Sequence, residues 1–122
     1  MSAVYSKQLL SASTNGKNIL VNGTGTAAPT LLHTAVSGTA SLDELYIYAH
    51  NTTGASQTFT LLWGGTVVPD DSLSLSVAAG LGRQLLIDGK LLQNGLAVSA
   101  YVAAAGTNAI VVDGFVNRIT NG

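Results

Sequence analysis

From Ser72 to Val77, serine alternates with leucine or valine, and this period of two residues is the feature that most restricts the fold. Successive side chains of a β-strand point to opposite faces, so the segment would place its apolar residues on one face and its serines on the other. Gln57 to Trp63 and residues 96–102 repeat the pattern. No long segment shows the 3.6-residue period of an amphipathic helix. The sequence therefore predicts a protein built from β-strands.

Turn residues separate these segments. Asn-Gly, Asp-Gly and similar pairs tolerate the positive φ angles that tight turns need. Strands spaced by such turns, without helical patterns between them, predict an antiparallel sandwich or barrel of about eight to ten strands. A chain of 122 residues fits a single domain with a real core. The turn signals are Asn15-Gly16, Asn22-Gly23, Thr53-Gly54, Pro69-Asp70-Asp71, Asp88-Gly89 and Asn94-Gly95.

Two segments carry apolar residues on both faces of the alternation. In the first, Leu45 and Ile47 would face away from Tyr46 and Tyr48, and residues 110–119 form the second. Both are predicted to be strands that are buried on two sides. One small sandwich cannot hide this much apolar surface, which predicts self-association.

Charged residues are scarce: 9% of the chain is Asp, Glu, Lys or Arg, against about a quarter in an average soluble domain. A surface made largely of small polar residues suits contact with a neighbouring protein. The net charge of −1 leaves no basic stripe, so no direct nucleic-acid partner is expected. Apolar runs fall far short of the ~20 residues that cross a bilayer, and residues 1–10 lack the apolar stretch of a signal peptide. We expect an assembly component that is made in the cytoplasm and has no membrane partner.

No residue pattern points to a metal or a cofactor. The chain has no cysteine, and its two histidines, His33 and His50, lack metal-ligand spacing. Each histidine is interpreted as a surface or strand-face residue. The adjacent Asp70 and Asp71 lack the alternating oxygen ligands of a calcium loop and are interpreted as turn residues. We expect no metal or cofactor dependence.

Catalysis is not expected either. Asp43 and Glu44 are adjacent, so on a strand they point to opposite faces and cannot act on one substrate. No serine lies in a nucleophile elbow. The glycines in residues 63–65 lack the following lysine and helix of a phosphate loop. The sequence predicts a protein that is not an enzyme.

Residues 22–29 (NGTGTAAP) divide the chain. They are too rich in Gly, Thr and Ala to pack as a core element, so they are predicted to be a loop or linker. Two interpretations of the preceding segment stay open: residues 1–21 form an arm that lies on a neighbour, or residues 5–10 and 18–21 form a first hairpin. Under both, residues 1–29 precede a sandwich body of residues 30–122.

Aromatic residues indicate where a partner binds. Tyr46 and Tyr48 would share one strand face with His50, and their hydroxyl groups favour a polar edge. With Trp63 and Tyr101 they could form a platform for a sugar, but a protein interface fits better because Trp63 ends an apolar strand face. Apolar residues of the N-terminal arm would add further contacts. The candidate partner contacts are Tyr5, Leu9, Leu10, Tyr46, Tyr48 and His50.

Longer stretches of the chain resemble a known class of protein. The stretches are LDELYIYAHNTTGASQTFTLLWGGTVVPDDSLSLSV (42–77), LLQNGLAVSAYVAAAG (91–106) and VDGFVNRI (112–119), with STNGKNILV (13–21) and TLLHTAV (30–36) before them. Their strand and turn patterns are similar to those of small virion structural proteins of tailed bacteriophages. The Trp-Gly-Gly turn, Pro-Asp-Asp and the final Gly-Phe-Val-Asn-Arg-Ile are the most distinctive pieces.

The resemblance implies a capsid decoration, or cement, protein. Such a protein has a β-sandwich or jelly-roll fold and binds the outside of an icosahedral head as a homotrimer at threefold and quasi-threefold positions. Its partner would be the major capsid protein, and its location the exterior of the virion capsid. Two alternatives stay open: a structural protein of the phage tail, neck or baseplate, and a carbohydrate-binding module of the virion.

Overall fold

The computed structural model of the protein describes residues 3–80, 82–103 and 109–121. These residues form nine β-strands, and no helix among them could cross a membrane. The strands are β1 (Ala3–Leu9), β2 (Ile19–Leu20), β3 (Thr30–Thr34), β4 (Ser41–Asn51), β5 (Gln57–Trp63), β6 (Ser72–Val77), β7 (Gln84–Leu92), β8 (Ala97–Val102) and β9 (Ile110–Asn121).

The strands form two antiparallel sheets that enclose one core. The first sheet has the order β1-β9-β4-β7, and β2 also pairs with β9. The second sheet has the order β3-β8-β5-β6. Side chains from both sheets belong to a single apolar cluster. The predicted antiparallel β-sandwich is confirmed.

Alternating residues of the central strands supply the core. Leu45 and Ile47 of β4 meet Phe59 and Leu61 of β5 in the apolar cluster, and each is at most 1% exposed. Complete burial of such a side chain stabilises a fold by about 1.5–3 kcal/mol. Leu75 of β6 is also predicted to face the core, but it is only partly buried because β6 lies at the edge of its sheet.

The N-terminal segment belongs to the sandwich. β1 pairs with β9 from Ala3 opposite Asn121 to Leu9 opposite Phe115, and β2 pairs farther along the same edge of β9. Both strands fit there because β9 is 12 residues long. Residues 3–21 are therefore neither a detached arm nor a hairpin of residues 5–10 with 18–21, which corrects both interpretations of this segment.

Residues 22–29 form a closed loop rather than a tether. The Thr30 Oγ1 atom accepts backbone N–H groups from Asn22 and Gly23 at 3.1 and 2.9 Å. A Cβ on Gly23 would lie 2.6 Å from the Ala28 carbonyl oxygen, so only glycine lets the loop fold back this closely. The Gly23 carbonyl accepts the Val102 N–H at 2.9 Å, which fixes the loop to the second sheet.

Candidate functional site

The first sheet turns a broad face away from the core, which we name the outer face. Even-numbered residues of β4 point outward, because the odd-numbered residues from 43 to 51 are all buried. Directly opposed residues of antiparallel strands lie on the same side of a sheet, which identifies the other members. The outer face comprises Tyr5, Lys7, Leu9, Leu20, Leu42, Glu44, Tyr46, Tyr48, His50, Leu85, Asp88, Leu91, Val111, Asp113, Phe115, Asn117 and Ile119.

An aromatic pair occupies the centre of the outer face. The rings of Tyr46 and Phe115 stack with their centroids 4.8 Å apart and an angle of 15° between their planes. Gly114 permits this close pairing of β4 and β9, since any Cβ there would overlap the Tyr46 carbonyl. β1 pairs with β9 on the side opposite β4, and the ammonium of its Lys7 lies 4.8 Å from the centroid of the Phe115 ring. The Phe115 ring is therefore engaged by its own neighbours.

Two carboxylates of the outer face, Asp113 and Glu44, have hydrogen-bonding partners beside them. The Arg83 guanidinium lies 3.4 Å from the Tyr48 ring centroid, and its Nε donates to Asp113 Oδ2 at 2.7 Å. The Tyr46 hydroxyl donates to Glu44 Oε1 at 2.9 Å, and this hydrogen bond raises the pKa of the phenol. A partner that covers Asp113 or Glu44 therefore does not leave that carboxylate without a hydrogen bond.

Exposed apolar side chains line both edges of the outer face. Tyr5 (66% exposed), Leu9 (52%) and Leu20 (40%) follow β1 and β2, while Leu85 (44%) and Leu91 (48%) follow β7. Aromatic and large aliphatic side chains are the groups that anchor protein interfaces. The outer face thus combines a rigid aromatic centre with two apolar margins.

Five of the six candidate partner contacts lie on this face. Tyr5, Leu9, Tyr46 and Tyr48 come together there from β1 and β4, with His50 half-buried opposite Val111. The sixth candidate, Leu10, is 1% exposed and belongs to the core, so its prediction as a contact is wrong. Leu9 and Leu10 are adjacent, and their side chains point to opposite sides of the sheet.

A buried polar network connects the two sheets behind this face. The Asp43 carboxylate of β4 accepts two hydrogen bonds from Arg118 of β9, from Nε at 2.8 Å and from Nη2 at 3.0 Å. The His33 Nε2 atom of β3 lies 2.7 Å from Asp43 Oδ2. Because His33 Nδ1 accepts the Ser11 N–H at 2.9 Å, its ring proton is on Nε2 and is donated to Asp43. The three side chains are named the inter-sheet network.

Asp43 is ionised at the centre of the inter-sheet network. Burial raises the pKa of the Asp43 carboxyl, but hydrogen bonds from Arg118 and His33 outweigh that effect and hold the pKa below its ordinary value of 3.8. A fourth hydrogen bond, from the Val36 N–H at 3.0 Å, acts in the same direction. The His33 and Asp43 side chains are 1% and 0% exposed, so no substrate can reach them. The network is structural. Of the two interpretations of His33, as a surface or a strand-face residue, the surface one is wrong, because His33 lies on β3 and is buried.

Sequence reasoning missed the inter-sheet network although one signal was present. Asp43 has the same phase along β4 as the apolar residues Leu45 and Ile47, which places its carboxylate inside. A buried carboxylate requires hydrogen-bonding partners and a counter-charge. The phase therefore indicated a partner for Asp43, but nothing in the local sequence named Arg118, which lies 75 residues away.

The remaining candidate residues have structural positions. Trp63 is partly buried against the core, and its Nε1 donates to the Leu91 carbonyl at 3.3 Å. Asp71 accepts the Val67 N–H at 3.1 Å and closes the turn between β5 and β6. Within the described ranges, no three His, Cys, Asp or Glu side chains cluster as a metal site, and no ligand-sized cavity is found.

Comparison with known proteins leaves the outer face as the main guide to function. Its members come from β1, β2, β4, β7 and β9. The network behind it holds the two sheets together. No protein-family model matches the chain, and no curated protein matches it.

Proposed function

We propose that this protein is a non-enzymatic decoration protein of a tailed-phage virion. It binds the outside of the head as a homotrimer, contacts the major capsid protein and stabilises the shell. It is made in the host cytoplasm and ends on the capsid exterior. The observation that carries the proposal is the outer face, whose aromatic centre and apolar margins suit burial against another protein.

The construction of the outer face supports docking on a large, regular surface. β4 and β9 pair without interruption from Ser41 to Asn51, so the centre of the face is rigid before binding. Rigid surfaces lose little conformational entropy on association. Matched charges such as Arg83 with Asp113 also make the face tolerant of burial. These properties suit a protein that covers a preformed shell.

The strand order supports the finer fold assignment, a jelly roll. The first and last long strands, β1 and β9, are neighbours in one sheet, in the order β1-β9-β4-β7. The facing sheet has the order β3-β8-β5-β6. Two sheets of four strands in two Greek keys define a jelly roll, and β2 prolongs β1 along β9.

The stabilising mechanism needs no chemical step. A protein that binds the assembled shell but not its separated subunits shifts the equilibrium toward the shell by RT ln(1 + [L]/Kd). In a trimer, three linked outer faces bind together, so each face can be weak while the trimer stays attached. The low charge of the chain, 9%, agrees with a protein that is partly covered on the virion.

Removing the apolar side chains of β7 from the outer face should weaken attachment. The variant Leu85→Ser/Leu91→Ser loses two side chains that are 44% and 48% exposed. We expect at least a tenfold lower affinity for heads, because burial of one leucine contributes on the order of 1.5 kcal/mol or more. Co-sedimentation with purified heads that lack both tails and this protein measures the affinity.

The matched control is Leu31→Ser/Val67→Ser, whose side chains are 46% and 58% exposed but lie away from the outer face. Both variants should melt close to the wild-type temperature, and the control should bind heads normally. Equal binding by all three proteins would exclude the outer face as the docking surface. Failure of the wild-type protein to sediment with tailless heads would favour a tail, neck or baseplate component.

A further inference from the structure

The edge strands of the sandwich differ in how they are protected. The first sheet ends in β7 on one side and in β1, with the two-residue β2 beside it, on the other, and the second ends in β3 and β6. The outward backbone N–H and C=O groups of an edge strand attract another strand unless they are covered or interrupted. Proteins interrupt such edges with bulges, charged side chains or proline.

The edges of β3 and β7 are protected. Along β3, the Ala12 N–H donates to the Leu32 carbonyl at 3.2 Å, and the Thr34 N–H donates to Ser11 Oγ at 2.7 Å. The pairing of β7 with β4 shifts register twice, between Leu45 and Tyr46 and between Ile47 and Tyr48. β7 also carries Asp88 and Lys90. Neither edge is a straight, open row of backbone groups.

The edges of β1 and β6 are open and straight. β1 keeps an unbroken register with β9, and β6 keeps one with β5. β6 has no charged residue, and the one charged residue of β1, Lys7, folds its ammonium over Phe115. The Ser72 N–H at the start of β6 donates to the Pro69 carbonyl at 3.1 Å. Among the described residues, no further strand pairs with the free edge of β1 or of β6.

Both open edges also expose apolar side chains beside the core. Val4 lies on the core side of β1, opposite Thr120, yet it is 59% exposed. Leu73 and Leu75 lie on the core side of β6 and are only partly buried. A strand added to either edge would cover these side chains and extend the core.

The two open edges lie on opposite flanks of the sandwich. The chain passes directly from β1 to the edge of β3, where Ala12 bonds to Leu32, so β1 and β3 share one flank. The strand order then places β6 and β7 on the other flank. A closed ring of identical subunits needs two different, complementary surfaces on each copy. Open edges on opposite flanks meet that requirement.

We propose that β1 of one copy pairs with β6 of the next copy, and that three such pairings close the homotrimer. The inference rests on the homotrimer of the proposed function and specifies the contact that forms it. Each pairing joins the first sheet of one subunit to the second sheet of its neighbour.

Amide hydrogen exchange of the full chain tests this pairing. Exchange is followed by mass spectrometry below and above the concentration at which light scattering detects trimers. Peptides from residues 3–9 and 72–77 should exchange at least tenfold more slowly in the trimer, since new backbone hydrogen bonds form there. Peptides from β4 should not change, because β4 is already paired on both sides.

The outcomes separate this inference from the proposed function. If the trimer forms but exchange fails to slow in either segment, the edge pairing is overturned and the decoration function stands. Slower exchange in residues 72–77 alone, with dimers in solution, indicates pairing of β6 with β6 and also overturns it. A monomer at all concentrations overturns the pairing together with the homotrimer.

A variant of the β6 edge provides an independent test. Ser74→Lys places a charge in the middle of β6 at an exposed position, where lysine discourages strand addition. We expect about tenfold weaker trimerisation with an unchanged monomer melting temperature. The matched control, Thr58→Lys, is exposed on the interior strand β5 and should assemble normally. Equal assembly of both variants would contradict the pairing.

Discussion

A chain that begins at Asn22 is expected not to fold cooperatively. The deletion removes β1 and β2, which pair with residues 115–121 and 111–112 of β9. It also removes Leu10 and Val21 from the core, where they are 1% and 0% exposed. Each side chain contributes about 1.5–3 kcal/mol by burial, and the lost strand pairing adds to this, against a typical total stability of about 5–15 kcal/mol.

Thermal unfolding followed by circular dichroism measures this effect. Leu9 and Leu10 provide a matched pair within the deleted segment, because one is exposed and the other is buried. Leu10→Ala should cost about 2–5 kcal/mol, whereas Leu9→Ala should change stability little. A truncated chain of residues 22–122 that melts cooperatively near the wild-type temperature would restore the interpretation of residues 1–21 as an arm.

Arg118→Met is expected to destabilise the protein by about 3–5 kcal/mol at neutral pH, because it leaves the Asp43 carboxylate buried without its counter-charge. The Asp43 side chain is 0% exposed and accepts two hydrogen bonds from Arg118. Arg83→Met is the matched control: its ion pair with Asp113 has a similar length, 2.7 Å, but is exposed. It should cost no more than about 2 kcal/mol, including the contact with Tyr48.

The pH dependence of stability separates the two arginine variants further. The fold lowers the pKa of Asp43 below its ordinary value of 3.8. The contribution of Asp43 to the free energy of unfolding is therefore complete above pH 3.8, and it is lost as the pH falls through the lower pKa of the folded state. The difference in free energy of unfolding between wild type and Arg118→Met should therefore become smaller in acid, as measured by urea unfolding at several pH values. A gap that stays constant, or equal losses from both variants, would contradict this role of Asp43.

The period-two pattern was sufficient to predict individual strands. The alternation in residues 72–77 and 57–63 matches β6 and β5, and the buried odd-numbered residues of β4 match one of its two predicted buried faces. The even-numbered residues of β4 were also predicted to be buried, but they are only half-buried. Asn15 and Asn94 have φ angles of +55° and +64°, as predicted for Asn-Gly turns. These features depend on neighbouring residues, so they are visible in the local sequence.

Long-range pairing could not be predicted from the same pattern. Alternation shows that a strand has two faces, but it does not show which strands are neighbours. The pairing of β1 with β9 joins the two ends of the chain, and Arg118 reaches Asp43 across 75 residues. Leu10 was misassigned for the same reason: the pattern does not state which of Leu9 and Leu10 points into the core.

The outer face was predicted in part. Tyr46, Tyr48 and His50 were grouped correctly, since residues two apart on one strand share a face. The contributions of Phe115 and Leu91 depend on the register of β9 and β7 against β4, which only the folded sheet defines. The site is therefore a product of strand order as much as of composition.

The temperature at which phage heads release their DNA tests the proposed cement function most directly. Heads that lack this protein are heated with a fluorescent DNA-binding dye, before and after purified protein is added. If the protein stabilises the shell, the added protein raises the release temperature to that of complete heads, and Leu85→Ser/Leu91→Ser restores it less. Release at the same temperature with and without bound protein would contradict the proposed function.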